Sequence, residues 1–206
     1  MRITLDDAFA RALAAERRGD LRAARAIYDD ILAALPEHPG ALLGIARHLR
    51  AGRDYDGARE ALRRALQSAT KTGVASGELW VELGRLETAA GNLAAARDAY
   101  ATALRDRPQF LPALLGAGDV ALAALAFDSA ETHFRDALAR DASRPSAWIG
   151  LAQALAGRGR FDEARGALDR ALEIEPSNPG TFAAAAWVEL RAKDWRSAQD
   201  RCRTGL

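Results

Sequence analysis

Apolar residues recur along the chain at i, i+3, i+4 and i+7, the spacing that lays one stripe down a helix. In the stretch from Ala147 to Gly180, Trp148, Leu151, Ala152 and Leu155 form one such stripe. "GRGR" at Gly157 to Arg160 interrupts it, and Phe161, Ala164, Leu168, Ala171 and Leu172 form a second. Pro176 closes the segment and Pro179 opens the next, so the pattern predicts a helix, a tight turn, a second helix and a proline stop.

The same pattern recurs in phase. Units begin at about Leu5, Pro39, Gly77, Leu111, Pro145 and Pro179, at steps of 34, 38, 34, 34 and 34 residues. One position of the second helix is Ala every time: Ala24, Ala58, Ala96, Ala130, Ala164 and Ala198. A position of the first helix is always small: Ala12, Ala46, Gly84, Gly118, Ala152 and Ala186. Small residues at fixed phase imply two helices crossing too closely for a larger side chain. A bulky position stands between them at Leu21, Tyr55, Leu93, Phe127, Phe161 and Trp195, and another is Leu throughout, from Leu32 to Leu206. The four extra residues of the second unit fall in "QSATKTGVASGE" and predict a longer loop between Gln67 and Glu78.

A helix pair of this size cannot bury its own apolar face and must stack on its neighbours. The expectation is an all-α solenoid of about twelve antiparallel helices, one domain over 1–206 with its last unit cut short. By phase, Leu206 falls inside the final helix, with no polar cap after it. The natural chain is therefore expected to continue, and the apolar edge near Trp195, Cys202 and Leu206 to pair with a second copy.

At these residues the sequence resembles the tetratricopeptide repeat family, whose pattern is W-x2-L-G-x2-Y, then A-x3-F, then A and P over about 34 residues. "WVELGRLE" from Trp80 carries the first part, with Glu87 in the aromatic's place; Ala96, Tyr100, Ala103 and Pro108 carry the second. Arg11 stands where the family is apolar, and Thr70 and Ala142 where it has proline. The resemblance implies a right-handed superhelix whose first helices line a concave groove that binds a protein or peptide.

Composition narrows the chemistry. The net charge is +1 with no block of like charge, and no basic stripe is interleaved with aromatics, so nucleic acid is not an expected partner. No run reaches the ~18–20 apolar residues of a membrane span, no secretory signal is apparent, and a cytoplasmic location is the default. The lone Cys202 can form no internal disulfide and fills a slot held by Tyr28, Tyr100 or Phe134 in other units. His38, His48 and His133 fall in different units and converge on no shared face. No metal-ligand spacing, catalytic constellation or phosphate loop is present, so neither a cofactor nor activity is expected of these residues.

Places below are counted from the first residue of each unit. Carried over residue by residue, the family's concave places give Phe9, Leu43, Val81, Leu115 and Ile149 at the fifth, and Glu82 at the sixth. They give Arg47, Arg85, Asp119, Gln153 and Trp187 at the ninth, and Arg50 and Leu122 at the twelfth. An apolar floor with a basic section at Arg47, Arg50 and Arg85 suits a peptide bearing an acidic group, since arginine grips carboxylates in a bidentate way. Alternatively these arginines are solvated, or pair with Glu82 and Asp119. The chaperone-type carboxylate clamp and the asparagine ladder known in the family have no counterpart at the corresponding places. The expected function is a non-catalytic scaffold; the alternative is the N-terminal substrate-binding arm of a sulfotransferase, glycosyltransferase or aspartyl/asparaginyl hydroxylase.

Overall fold

A computed structural model describes residues 4–73 and 75–193. Eleven helices account for them: α1 (Leu5–Arg17), α2 (Leu21–Ala34), α3 (Pro39–Ala51), α4 (Tyr55–Thr72), α5 (Gly77–Ala89), α6 (Leu93–Asp106), α7 (Leu111–Ala123), α8 (Phe127–Arg140), α9 (Pro145–Gly157), α10 (Phe161–Ile174) and α11 (Pro179–Arg191). No strand occurs among the described residues. The twelfth helix, and the self-pairing edge expected at Trp195, Cys202 and Leu206, lie outside them.

The chain forms two compact units, Met1–Asp106 and Arg107–Leu206. In the first, α1 packs on α2, α3 on α4 and α5 on α6, while α2 meets α3, and α5 rests on both α3 and α4. In the second, α7 pairs with α8 and α9 with α10, and α9 touches α7, α8 and α11.

The helix ends follow from local chemistry. Thr4 and Asp7 make a reciprocal capping box at α1, and the Asp20 and Asp54 carboxylates accept from the backbone of Ala23 and Gly57 at the starts of α2 and α4. His38, in an interunit turn, caps α3: its Nδ1 accepts from Ala41 N–H at 3.1 Å. Proline opens α3, α9 and α11 at the first turn, where its missing N–H costs nothing.

After the first helix of each unit, the fifteenth place is left-handed: Gly19, Arg53, Gly91, Leu125, Gly159 and Lys193 all have φ between 58° and 81°. Three of the six carry a side chain that this backbone disfavours by ~1–2 kcal/mol. Leu125 is also 71% exposed, so it returns little burial energy. Leu125→Gly is expected to raise stability by ~0.5–1 kcal/mol, the relief of strain less the extra unfolded-chain entropy of glycine; the urea midpoint at unchanged slope reads it directly.

The four extra residues lengthen a helix rather than a loop. α4 has 18 residues where α2, α6, α8 and α10 have 14. Ser68 and Ala69 are buried and anchor the added turn, while the Thr70 and Thr72 hydroxyls donate to the carbonyls of Leu66 and Ser68. Helix therefore persists until Gly73, whose φ of 69° ends it.

Two of the phase-locked small residues, Gly84 and Gly118, lie beneath aromatic rings. A Cβ on Gly84 would stand 2.6 Å from the Tyr100 ring, and one on Gly118 2.7 Å from Phe134. The ring also reaches the next unit: Tyr28 lies against Gly44 at 2.2 Å from a notional Cβ, and Phe134 against Gly150 at 2.3 Å. The twenty-fourth place of one unit thus dictates the sixth of the next. Where the former is Leu62 or Leu168, the latter is Glu82 or Ala184.

Candidate functional site

Glu82 is the centre of the expected basic section. Its carboxylate is 1% exposed, although it stands at the place that glycine holds beneath Tyr28 and Phe134. The shorter Leu62, fully buried on the preceding helix α4, coincides with this larger residue. Arg50 Nε donates to Glu82 Oε1 at 2.6 Å. Arg47 Nε reaches Glu82 Oε2 at 3.4 Å, and Arg85 Nη1 lies 3.6 Å from the same oxygen. Arg47 also faces Glu16, at 3.9 Å. Three guanidiniums thus converge on one buried carboxylate, with α3 supplying two and α5 the third.

These contacts are unequal. The Arg50 bond is short and charge-assisted, while those of Arg47 and Arg85 are long and leave most of their N–H groups uncommitted. With Glu16 included, three positive charges face two negative, which leaves an excess of one. The Arg85 side chain is 48% exposed.

The floor differs from an open apolar strip. Leu43 and Val81 are buried and belong to the interior. Phe9 is half-buried in an aromatic cluster, its ring centre 6.1 Å from that of Tyr28 and 5.2 Å from that of His38. In the second compact unit, Arg107–Leu206, Leu115 and Leu122 lie on α7, Ile149 and Gln153 on α9, and Trp187 on α11, each half-buried. The Arg191 guanidinium sits 5.2 Å from the centre of the Trp187 ring. Asp119 on α7 opens to solvent, yet desolvation by the surrounding protein raises its carboxyl to about 6. Among the described residues it pairs with no arginine, so the pairing considered from sequence is realised for Glu82 and not for Asp119.

Three further buried acids were not legible as such. Arg59 grips Glu87 through Nε at 2.7 Å and Nη2 at 3.2 Å, and Arg165 grips Glu189 at 3.0 and 2.6 Å. Both pairs link the twenty-first place of one unit to the eleventh of the next. Glu131 on α8 receives Arg158, Arg160 and Arg135. Burial alone would raise its carboxyl; the bonds from Arg158 and Arg160 outweigh that and hold it below its ordinary value. No group of three or more potential metal-ligating residues occurs among the described residues, and no described helix is long and apolar enough to cross a membrane.

The tetratricopeptide repeat family's sequence model matches residues 9–74, 63–110 and 115–179. The chain belongs to the tetratricopeptide repeat family. Among curated proteins, the CTR9 homolog of Arabidopsis thaliana is 31% identical over 126 residues, 59% of this chain. The chain spans only 12% of that relative's length. Among solved structures, the type IV pilus biogenesis factor PilW superposes with a TM-score of 0.84 at 20% identity, over 98% of this chain and 91% of PilW. YrrB, a tetratricopeptide repeat protein with an unusual peptide-binding site, gives 0.66 at 20% identity over 86% of this chain and 90% of its own. Identities this low establish the fold alone. Tetratricopeptide repeat domains generally bind proteins or peptides and are typically non-catalytic, so the coarse reading is a protein-interaction scaffold.

Proposed function

We propose that this tetratricopeptide repeat chain is a non-catalytic adaptor that holds an acidic protein segment on the first-helix face of its N-terminal unit. Arg47 and Arg85 are the residues that take the partner's carboxylate. The observation that carries this reading is the inequality at Glu82: Arg50 alone is at full hydrogen-bonding distance, at 2.6 Å. Glu82 stands in for a ligand carboxylate when none is bound. Its loose hold keeps Arg47 and Arg85 oriented together without consuming them. Pre-orienting two rotamer-rich side chains spares part of the ~0.5–1.5 kcal/mol that each would otherwise lose on binding.

A displayed library of random peptides tests this. The wild-type chain is expected to enrich sequences containing Asp or Glu, and Arg47→Glu with Arg85→Glu to abolish that enrichment while leaving the helical circular dichroism unchanged. Arg50→Ala is the contrast, because it leaves Glu82 with only distant partners: it is expected to lower the thermal midpoint more than it lowers acidic selection. Enrichment that survives the double charge reversal defeats the assignment of Arg47 and Arg85.

A further inference from the structure

The bulky seventeenth place does different work in two units. In the fourth, the Phe127 ring lies on Gly157 of α9, with ring carbons 2.3–2.5 Å from where a Cβ would stand. In the first, the same place is Leu21, 50% exposed, and the residue matching Gly157 is Ala51. The small and aromatic positions of the two surroundings correspond, while at the edge Glu16, Arg25, Arg47 and His48 stand where the later junction has Leu122, Glu131, Gln153 and Ala154. Each has an aromatic of the second helix, Tyr28 or Phe134, seated on a glycine of the next unit, Gly44 or Gly150. What Phe127 fills in one place remains open in the other. A cavity of about 200 Å³ lies between α1, α2 and α3, with Leu21, Tyr28, Gly44 and Ala51 in its walls and Glu16, Arg25, Arg47 and His48 at its edge. By volume alone, ~150 Å³ is enough to hold a benzene ring.

A second observation falls on the same wall. Tyr28 is 1% exposed, and its hydroxyl faces the Glu16 carboxylate without reaching full hydrogen-bonding distance of it. Phe134, at the same place and fully buried, packs without a hydroxyl, so packing does not require the one on Tyr28. A buried hydroxyl without a close partner is costly, and this one lies in the wall of the cavity that sets this junction apart from the later one.

We infer that this slot is a receptor for one aromatic side chain of a bound protein segment, seated where the chain's own Phe127 would place it. The chemistry of the occupant is read from that internal counterpart: a flat ring against small residues, not an aliphatic branch. Arg47 at the rim takes an acidic group of the same segment, a part that rests on the function proposed above. Together they define an aromatic residue beside an acidic one as the feature recognised by the first two repeats.

The test is a nitrogen-15 NMR titration of the whole chain with toluene, propionate and 3-phenylpropionate in separate arms. Toluene and 3-phenylpropionate are expected to shift the amides of Leu21, Tyr28, Gly44 and Ala51. Propionate and 3-phenylpropionate are expected to shift the Nε–H signals of Arg47 and Arg85. Leu21→Phe supplies the missing ring and is expected to erase the response to toluene at the slot while leaving the response to propionate intact. If that variant does not fold, Ala51→Leu closes the slot from the opposite wall. Slot amides that ignore both aromatic probes, or that respond equally in a folded slot-filled variant, overturn the inference. A slot that binds toluene while both acids leave Arg47 unmoved upholds the receptor and defeats the carboxylate role instead.

Discussion

Replacing Arg59 by Met is expected to cost about 3 kcal/mol of stability, out of proportion to the loss of an arginine whose side chain is 39% exposed. The cost belongs to the other partner. Glu87 is 5% exposed, and without Arg59 its remaining bond is the Asn92 side-chain amide at 2.7 Å. A buried carboxylate with one neutral donor is poorly compensated, and removing one partner of a buried pair typically costs ~3–5 kcal/mol. The partly wet arginine places this case at the low end. Arg59→Met combined with Glu87→Leu is expected to recover most of the loss, because two apolar side chains of similar volume suit the same space. The pH dependence checks the cause. Hydrogen bonding from Arg59, the largest effect on Glu87, lowers its carboxyl below 4.5 in the wild type. That stabilisation is complete above the unfolded value and is lost as pH falls through the folded one. In Arg59→Met the carboxylate is disfavoured instead, so the gap between variant and wild type is expected to narrow on acidification. A gap that stays constant from pH 7 to pH 4 would mean that lost packing, and not the stranded charge, is responsible. Arg165 and Glu189 repeat the arrangement at the same two places, and denaturation midpoints of both variants compare them directly.

The repeat phase was legible because it is a one-dimensional property. Ala24, Ala58, Ala96, Ala130 and Ala164 recur because the same helix crossing recurs, and all five are buried at 0–2% exposure. The helix boundaries at Gly157 and Phe161 were legible for the same reason. Relations between units were harder to see. Glu82 reads as a surface charge until Leu62, twenty residues earlier, is recognised as too short to cover it. Glu87 reads as a departure from the aromatic of the family pattern until Arg59 is placed opposite. The added turn of α4 hides behind Ser68, Thr70 and Thr72, residues that favour turns in isolation. Burial of Ser68 and Ala69 overrides that preference. The groove reading placed Leu43 and Val81 on a floor, because family places record direction and not depth. Arg53, Leu125 and Lys193 conceal their left-handed backbone for a similar reason: the closure of the unit imposes it where the residue itself does not ask for it.

Gly150→Ala provides the sharpest test of how one unit dictates the next. On helix propensity alone, alanine should stabilise α9 by about 1 kcal/mol. The structure reverses the sign. A Cβ at Gly150 would stand 2.3 Å from the Phe134 ring, and one at Gly118 2.7 Å from the same ring. Phe134 is fully buried and already crowded by glycines of both α7 and α9, so moving the ring to admit a methyl group is costly. Overpacking of this kind costs ~1–3 kcal/mol, and the net expectation is a destabilisation of about 2 kcal/mol. Phe134→Leu alone should also destabilise, by leaving part of the ring's volume empty. The two changes together are expected to cost clearly less than their sum. Leucine already accompanies a larger sixth-place residue in this chain, at Leu62 with Glu82 and at Leu168 with Ala184. A double-mutant cycle followed by urea denaturation reads the coupling as a free energy. Additive losses would mean that ring and glycine do not constrain one another. A stabilised Gly150→Ala would mean that the ring can move aside, and the close packing of the fourth unit on the fifth would lose its explanation.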